Sequence, residues 1–279
     1  MTWNDLKKRV CDEQMLRKIS LSPPQILSLT FLILILIGTG LLKLPIATFK
    51  GISWLDAFFT ATSAVTVTGL TVVDTGQVFT LFGQLTILAL IQTGGLGIMT
   101  SAVFILILLG KKIGLKERLL IGQSLNQSGI GGLIYLVKKL FIITLVAEFL
   151  GALFLCLRWA PFFGWQKAVY AGIFHSVSAF NNAGFSIWSD SLSRFVGDPV
   201  VNVVITGLFM LGGIGFTVLV DVWSKKKVTS LSLHSKMMLV GTLLVNFVAI
   251  VLVFMLEYDN PSTLGKLSIF DKIWAAYFQ

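Results

Sequence analysis

Residues 60–76 read TATSAVTVTGLTVVDTG. The stretch is rich in threonine, serine, alanine and glycine and carries one charge. It lies between two apolar segments, 26–48 and 78–109. The chain of 279 residues is 55% hydrophobic and only 13% charged, whereas a soluble domain carries roughly 25% charged residues. The run 26–42 contains no charge, and further apolar segments fall at 134–157, 200–222 and 237–256. About 20 apolar residues suffice for a transmembrane helix. The composition predicts an all-α polytopic membrane protein and excludes an ordinary soluble domain. About 25 largely polar residues precede the first apolar run, which is too long for the core of a cleavable signal.

Residues 53–63 predict a short helix, opened by a capping box of Ser53 and Asp56. A helix of about ten residues cannot cross the bilayer, so the chain must turn back inside it. The turn is TVTGL, 66–70. Irregular backbone at that depth is tolerated only where it is buried in protein or lines water. An extended segment containing glycine can aim successive carbonyls at one axis, where they replace the water shell of a monovalent cation. Gly69 permits unusual backbone angles and puts no Cβ in the path. The C-terminal end of the short helix carries partial negative charge, which favours a cation. The competing reading is a small-residue motif for helix packing.

An internal repeat favours the pore reading. DAFFTATSAVTVTGL (56–70) aligns with AGIFHSVSAFNNAGF (171–185) at an offset of 115, pairing Phe59 with Phe174, Ser63 with Ser178, Ala64 with Ala179 and Gly69 with Gly184. Downstream, GGLG (94–97) aligns with GGIG (212–215) at an offset of 118. A third copy starts near residue 228, and its DKIWAAYFQ (271–279) sets Tyr277 and Phe278 over Phe58 and Phe59. The expected organisation is an N-terminal segment 1–25, a helix–pore loop–helix unit 26–109, a loop 110–133, a second unit 134–222, a loop 223–236 and the start of a third unit, 237–279. The third unit is expected to stop before its filter glycine, as an N-terminal fragment of a longer chain would.

Fifteen of the 22 Lys and Arg residues fall in the N-terminal segment and in or beside the loops 110–133 and 223–236. This bias predicts a cytoplasmic N-terminus, with the aromatic loops outside. It also accounts for the net charge of +9 without nucleic acid. Cys11 and Cys156 then lie on opposite faces as plain thiols.

TATSAVTVTGLTVVDTG and FHSVSAFNNAGFS (174–186), followed by GGLG and GGIG, resemble the Trk/Ktr/HKT superfamily of potassium transporters. The likeness is greatest to the membrane subunit of bacterial Ktr-type systems and covers 26–279. It implies a fold like a potassium channel made from one chain, with four units around one pathway. It implies that Gly69 and Gly184 are filter glycines, in segments formed by Thr66, Val67, Thr68 and Gly69 and by Asn181, Asn182, Ala183 and Gly184. Glycine at the first position is the family's potassium-favouring choice, whereas serine there accompanies sodium permeability. Potassium is then the substrate, with sodium a candidate coupling ion and no cofactor. The resemblance also implies a homodimer of full-length chains in the cell membrane and a cytosolic ring of nucleotide-binding regulatory subunits. The chain departs from the family in lacking units three and four beyond the opening of three. The family's intramembrane gating loop is missing with them, so this fragment alone is not expected to conduct.

Other residues carry weaker signals. Glu148 inside an apolar helix is costly and suggests function, with pairing or packing the plainer alternative. His175 reads as a hydrogen-bonded structural histidine ahead of a pH sensor. GGLG and GGIG lack the strand and Gly-Lys-Ser/Thr sequel of a nucleotide site, so close packing or helix bending explains them better. Asp74, Asp190 and Asp198 either concentrate cations at the pore mouth or are solvated loop acids. Two rival functions remain. A secondary transporter would place a site between inverted repeats, but these repeats share one orientation. A membrane enzyme would need convergent acid, base or nucleophile groups.

Overall fold

The computed structural model describes residues 23–97, 100, 133–225 and 227–279. The expectations for residues 1–22, for most of 98–132 (including NQSGIGG at 126–132) and for Cys11 lie outside the described residues. The helices are α1 (Pro23–Lys43), α2 (Trp54–Thr66), α3 (Leu81–Gly95), α4 (Leu133–Phe163), α5 (Trp165–Phe180), α6 (Pro199–Gly213), α7 (Phe216–Ser224), α8 (Leu233–Glu257) and α9 (Ile269–Phe278). Among the described residues there is no strand, and Thr48 and Phe79 form an isolated antiparallel bridge. The spans Gln25–Lys43, Val137–Phe163 and Leu233–Glu257 are long and apolar enough to cross a membrane. α6 and α7 qualify together but meet at 100°. The protein is thus an all-α, multi-pass membrane protein.

The helix starts follow from sequence. Ser53 accepts a hydrogen bond from the Asp56 N–H at 3.0 Å and opens α2. Ser268 does the same for the Asp271 N–H at 3.2 Å and opens α9. α2 runs three residues past the expected end. Its threonines bond back along the helix: the Thr62 hydroxyl donates to Phe58 O and the Thr66 hydroxyl to Thr62 O, both at 2.7 Å. That satisfies polar side chains without leaving the helix.

α4 is longer than the apolar run 134–157 because Arg158 finds a partner. Its guanidinium donates to Asp198 at 2.6 Å. Asp198 also accepts from the Val200 and Val201 N–H groups at 3.0 and 3.3 Å, ahead of Pro199 in the first turn of α6. Acid, proline and helix start therefore coincide.

Small residues set the helix spacing. A Cβ on Gly172 of α5 would lie 2.7 Å from Ala152 O of α4, and one on Gly38 of α1 would lie 2.7 Å from a Leu90 methyl. The second and third short helices also touch the long helix of the preceding unit. The Tyr170 hydroxyl of α5 donates to Gln84 of α3 at 2.6 Å, and the Tyr277 hydroxyl of α9 meets Thr206 of α6 at 2.8 Å.

Asp198→Ala removes a cap and unpairs Arg158. The loss expected is about 1–2 kcal/mol, read as a lowered Tm of the detergent-solubilised protein. Arg158→Ala should cost less, because its side chain is 42% exposed and water replaces part of the pair.

Candidate functional site

α2 and α5 end in the same way at aligned positions. Val67 and Asn182 are both left-handed, with φ of 49° and 57°. The next backbone N–H returns to a serine carbonyl five residues back: Thr68 N to Ser63 O at 3.1 Å, and Ala183 N to Ser178 O at 2.8 Å. In the second segment Asn182 N also donates to Ala179 O at 3.0 Å. That completes a Schellman turn with asparagine in place of the usual glycine. Valine resists a left-handed backbone, and such outliers gather at functional sites. Two residues on, Gly69 and Gly184 have φ of 75° and 69°.

The two segments meet at these glycines. A Cβ on Gly184 would stand 3.0 Å from the Gly69 Cα, and one on Gly69 would stand 3.0 Å from Ala183 O. With both at positive φ, a side chain at either position would be strained and would push on the facing backbone. The aligned serines also use their hydroxyls. Ser63 accepts from the Thr68 hydroxyl at 2.9 Å, and Ser178 donates to Phe185 O at 2.7 Å. The chains that follow stay together: Gln77 donates to Ser189 at 2.7 Å. A polar cavity beside Gly184 is lined by Thr71, Asp74, Thr75, Ser186 and Ser189.

The glycine pairs supply the remaining support. A Cβ on Gly94 would lie 2.0 Å from Val65 O, and one on Gly212 would lie 1.7 Å from Phe180 O. Each long helix therefore presses against the last carbonyls of the short helix in its own unit. With the Asn182 amide turned to suit its neighbours, its nitrogen donates to Phe209 O and its oxygen accepts from Gly213 N, both at 3.2 Å. Gly97 and Gly215 then take φ of 80° and 98°, and at Gly215 α6 breaks into α7. Packing and bending, weighed as alternatives for these motifs, both occur, and the segment 200–222 is two helices.

Residues 11–258 match the TrkH family of cation transport proteins. The chain belongs to the TrkH family. It is 56% identical over 267 residues to the Ktr system potassium uptake protein B of Bacillus subtilis (strain 168), covering 96% of this chain and 60% of that protein. The protein of the same name from Vibrio alginolyticus is 46% identical over 258 residues, covering 92% of this chain and 57% of its own length. The potassium/sodium uptake protein NtpJ of Enterococcus hirae is 37% identical over 275 residues, or 98% and 59%. The chain thus spans about three fifths of the length of these relatives.

Within this TrkH chain the expected site residues divide. Thr66, Thr68, Asn182 and Gly184 are exposed and Val67 and Gly69 half-buried, whereas Asn181 and Ala183 are buried. The Asn181 side chain faces into the protein and donates to Gln92 Oε1 at 3.0 Å and to Glu148 at 3.2 Å. Sequence reading missed this contact, since nothing links Gln92 to Asn181 along the chain. It also gave Ser63 and Ser178 no role, although their alignment was visible.

His175 is a bonded structural residue. It is buried, with Nδ1 2.8 Å from Ala171 O, Nε2 3.0 Å from the Ser186 hydroxyl, and its ring stacked on Trp188. The three loop acids have local partners. Asp74 caps the helical turn Thr75–Val78, Asp198 pairs with Arg158, and Asp190 pairs with Arg194 at 2.6 Å. The Arg194 guanidinium holds the Asp190 carboxyl below the usual carboxylate range.

Gly94→Ala and Gly212→Ala drive a methyl into backbone carbonyls and should each destabilise by about 1–3 kcal/mol. A Cβ on Gly40 meets nothing described within 4 Å, so Gly40→Ala should be neutral or gain up to about 1 kcal/mol. Thermal unfolding of the three variants side by side checks the contrast.

Proposed function

We propose that this chain supplies the first two pore units, and the opening of a third, of a potassium uptake protein. Units 26–109 and 134–222 then contribute one filter segment each, with carbonyls from residues 66–69 and 181–184 facing a common axis. The observation that carries this reading is the matched pair of turns: two left-handed residues, two serine-anchored N–H groups and two abutting glycines at aligned positions.

The chemistry suits a monovalent cation. Neither segment contains a carboxylate, so selection falls to carbonyl dipoles that take the place of water. Both short helices direct their partly negative ends at the segments. The driving force is an ion gradient or the membrane potential, with sodium a candidate coupling ion. The names of the relatives, potassium uptake and potassium/sodium uptake proteins, support this cargo. The charge bias supports a cytoplasmic N-terminus. By the family resemblance, the working assembly is a homodimer of full-length chains on a cytosolic ring of nucleotide-binding subunits.

The test is potassium-limited growth of an uptake-deficient bacterium expressing the full-length protein. Wild type is expected to restore growth. Gly69→Ser is expected to reach the membrane and to lose about tenfold in discrimination of potassium from sodium, because its side chain pushes on the facing segment and shifts the carbonyls there. Unchanged selectivity at normal expression contradicts the role given to Gly69.

A further inference from the structure

Three polar side chains from separate parts of the chain close into a ring behind the second glycine segment. Asn181 is the first residue after α5. Its Nδ2 shares two N–H groups among Glu148 Oε1 at 3.2 Å, Gln92 Oε1 at 3.0 Å and Val177 O at 2.9 Å. Gln92 Nε2 donates to Glu148 Oε2 at 3.3 Å. Each carboxylate oxygen of Glu148 thus receives one amide, and the two amides bond to each other. Glu148 lies on α4 and Gln92 on α3, so the ring ties both long helices to the start of residues 181–184.

The surroundings leave this ring little play. Glu148 and Asn181 are 7% and 6% exposed. The Ser176 hydroxyl donates to Glu148 O at 2.7 Å and fastens α5 to α4 at the same level. A Cβ on Gly95 would sit 2.2 Å from Asn181 Oδ1, so α3 presses directly on the amide. A carboxylate held in an apolar layer by neutral amides is an expensive way to pack a helix. What it provides is direction: both oxygens accept, so both amides must point their N–H groups inward.

We propose that Glu148 is a positioning residue for ion selection. Through Asn181 it fixes the backbone of residues 181–184, and through Gln92 it keeps that backbone in register with α3, whose Gly94 supports the first segment. Glu148 does not touch the ion. This inference rests on the reading of residues 66–69 and 181–184 as filter segments.

The test measures potassium and sodium uptake by the full-length protein in the uptake-deficient bacterium, with membrane level and Tm recorded for each variant. Glu148→Ala should keep normal membrane levels and lose about tenfold in potassium-over-sodium discrimination, mainly through a raised KM for potassium. Glu148→Gln keeps the shape and one acceptor and should lose about threefold. It also covers the case in which Glu148→Ala fails to reach the membrane. Asn181→Asp sets two carboxylates face to face and should lose at least as much as Glu148→Ala. The double variant Glu148→Gln/Asn181→Asp restores an amide–carboxylate pair with the donor reversed, though the aspartate cannot donate to Val177 O or Gln92 Oε1, and should recover part of the discrimination. A purely structural role would move level and Tm but would not give this pattern of loss and rescue in selectivity. Wild-type discrimination in Glu148→Gln, or a double variant no better than Asn181→Asp, overturns the proposal. If Gly69→Ser still shifts selectivity in that case, the filter reading stands and only the role of Glu148 falls. If Gly69→Ser shifts nothing either, both fall.

Discussion

A chain that turns back inside an apolar layer must bond its own backbone there, because no water is present to do so. At both turns this need is met by one serine carbonyl. Ser63 O takes the Thr68 N–H, and Ser178 O takes the Ala183 N–H. Everything downstream depends on these two closures. They force the left-handed residues Val67 and Asn182, and bring Gly69 and Gly184 to positive φ two residues later. They also leave the short helices ending at the segments, so that the helix dipoles act on whatever lies between them.

The glycine pairs complete what the serines begin. A long helix can press its backbone against another helix's terminal carbonyl only where it lacks a Cβ. Gly94 does this at Val65 and Gly212 at Phe180. The supporting contacts are thus the same in the two halves although the segment sequences differ, TVTG against NNAG. The differences lie in the side chains. Asn181 faces a buried amide–carboxylate ring, whereas its counterpart Thr66 is exposed and bonds back along its own helix.

Local patterns in the sequence carried much of this. Hydropathy located the long helices, Ser53 and Asp56 marked the start of α2, and a constant offset of 115 paired Gly69 with Gly184. These signals are readable because each involves residues within a few positions of one another, or a repeat. α2 outran its expected end, and α4 its apolar run, where a side chain found a partner: Thr66 on its own helix, and Arg158 on Asp198, 40 positions away. Bending at GGIG was readable from its glycines, but not its extent, because apolar residues continue on both sides of Gly215. The ring of Gln92, Glu148 and Asn181 was out of reach for the same reason as the Arg158 pair. Its members lie 33 to 89 positions apart and come together only through the tertiary fold.

The most direct measurement is anomalous diffraction from crystals of the full-length protein soaked in rubidium or thallium. Two segments that share one cation predict a peak contacted by carbonyl oxygens from both residues 66–69 and residues 181–184. A strongest peak elsewhere, for example in the outer cavity beside Asp74 and Ser189, with nothing facing the paired glycines, would contradict it.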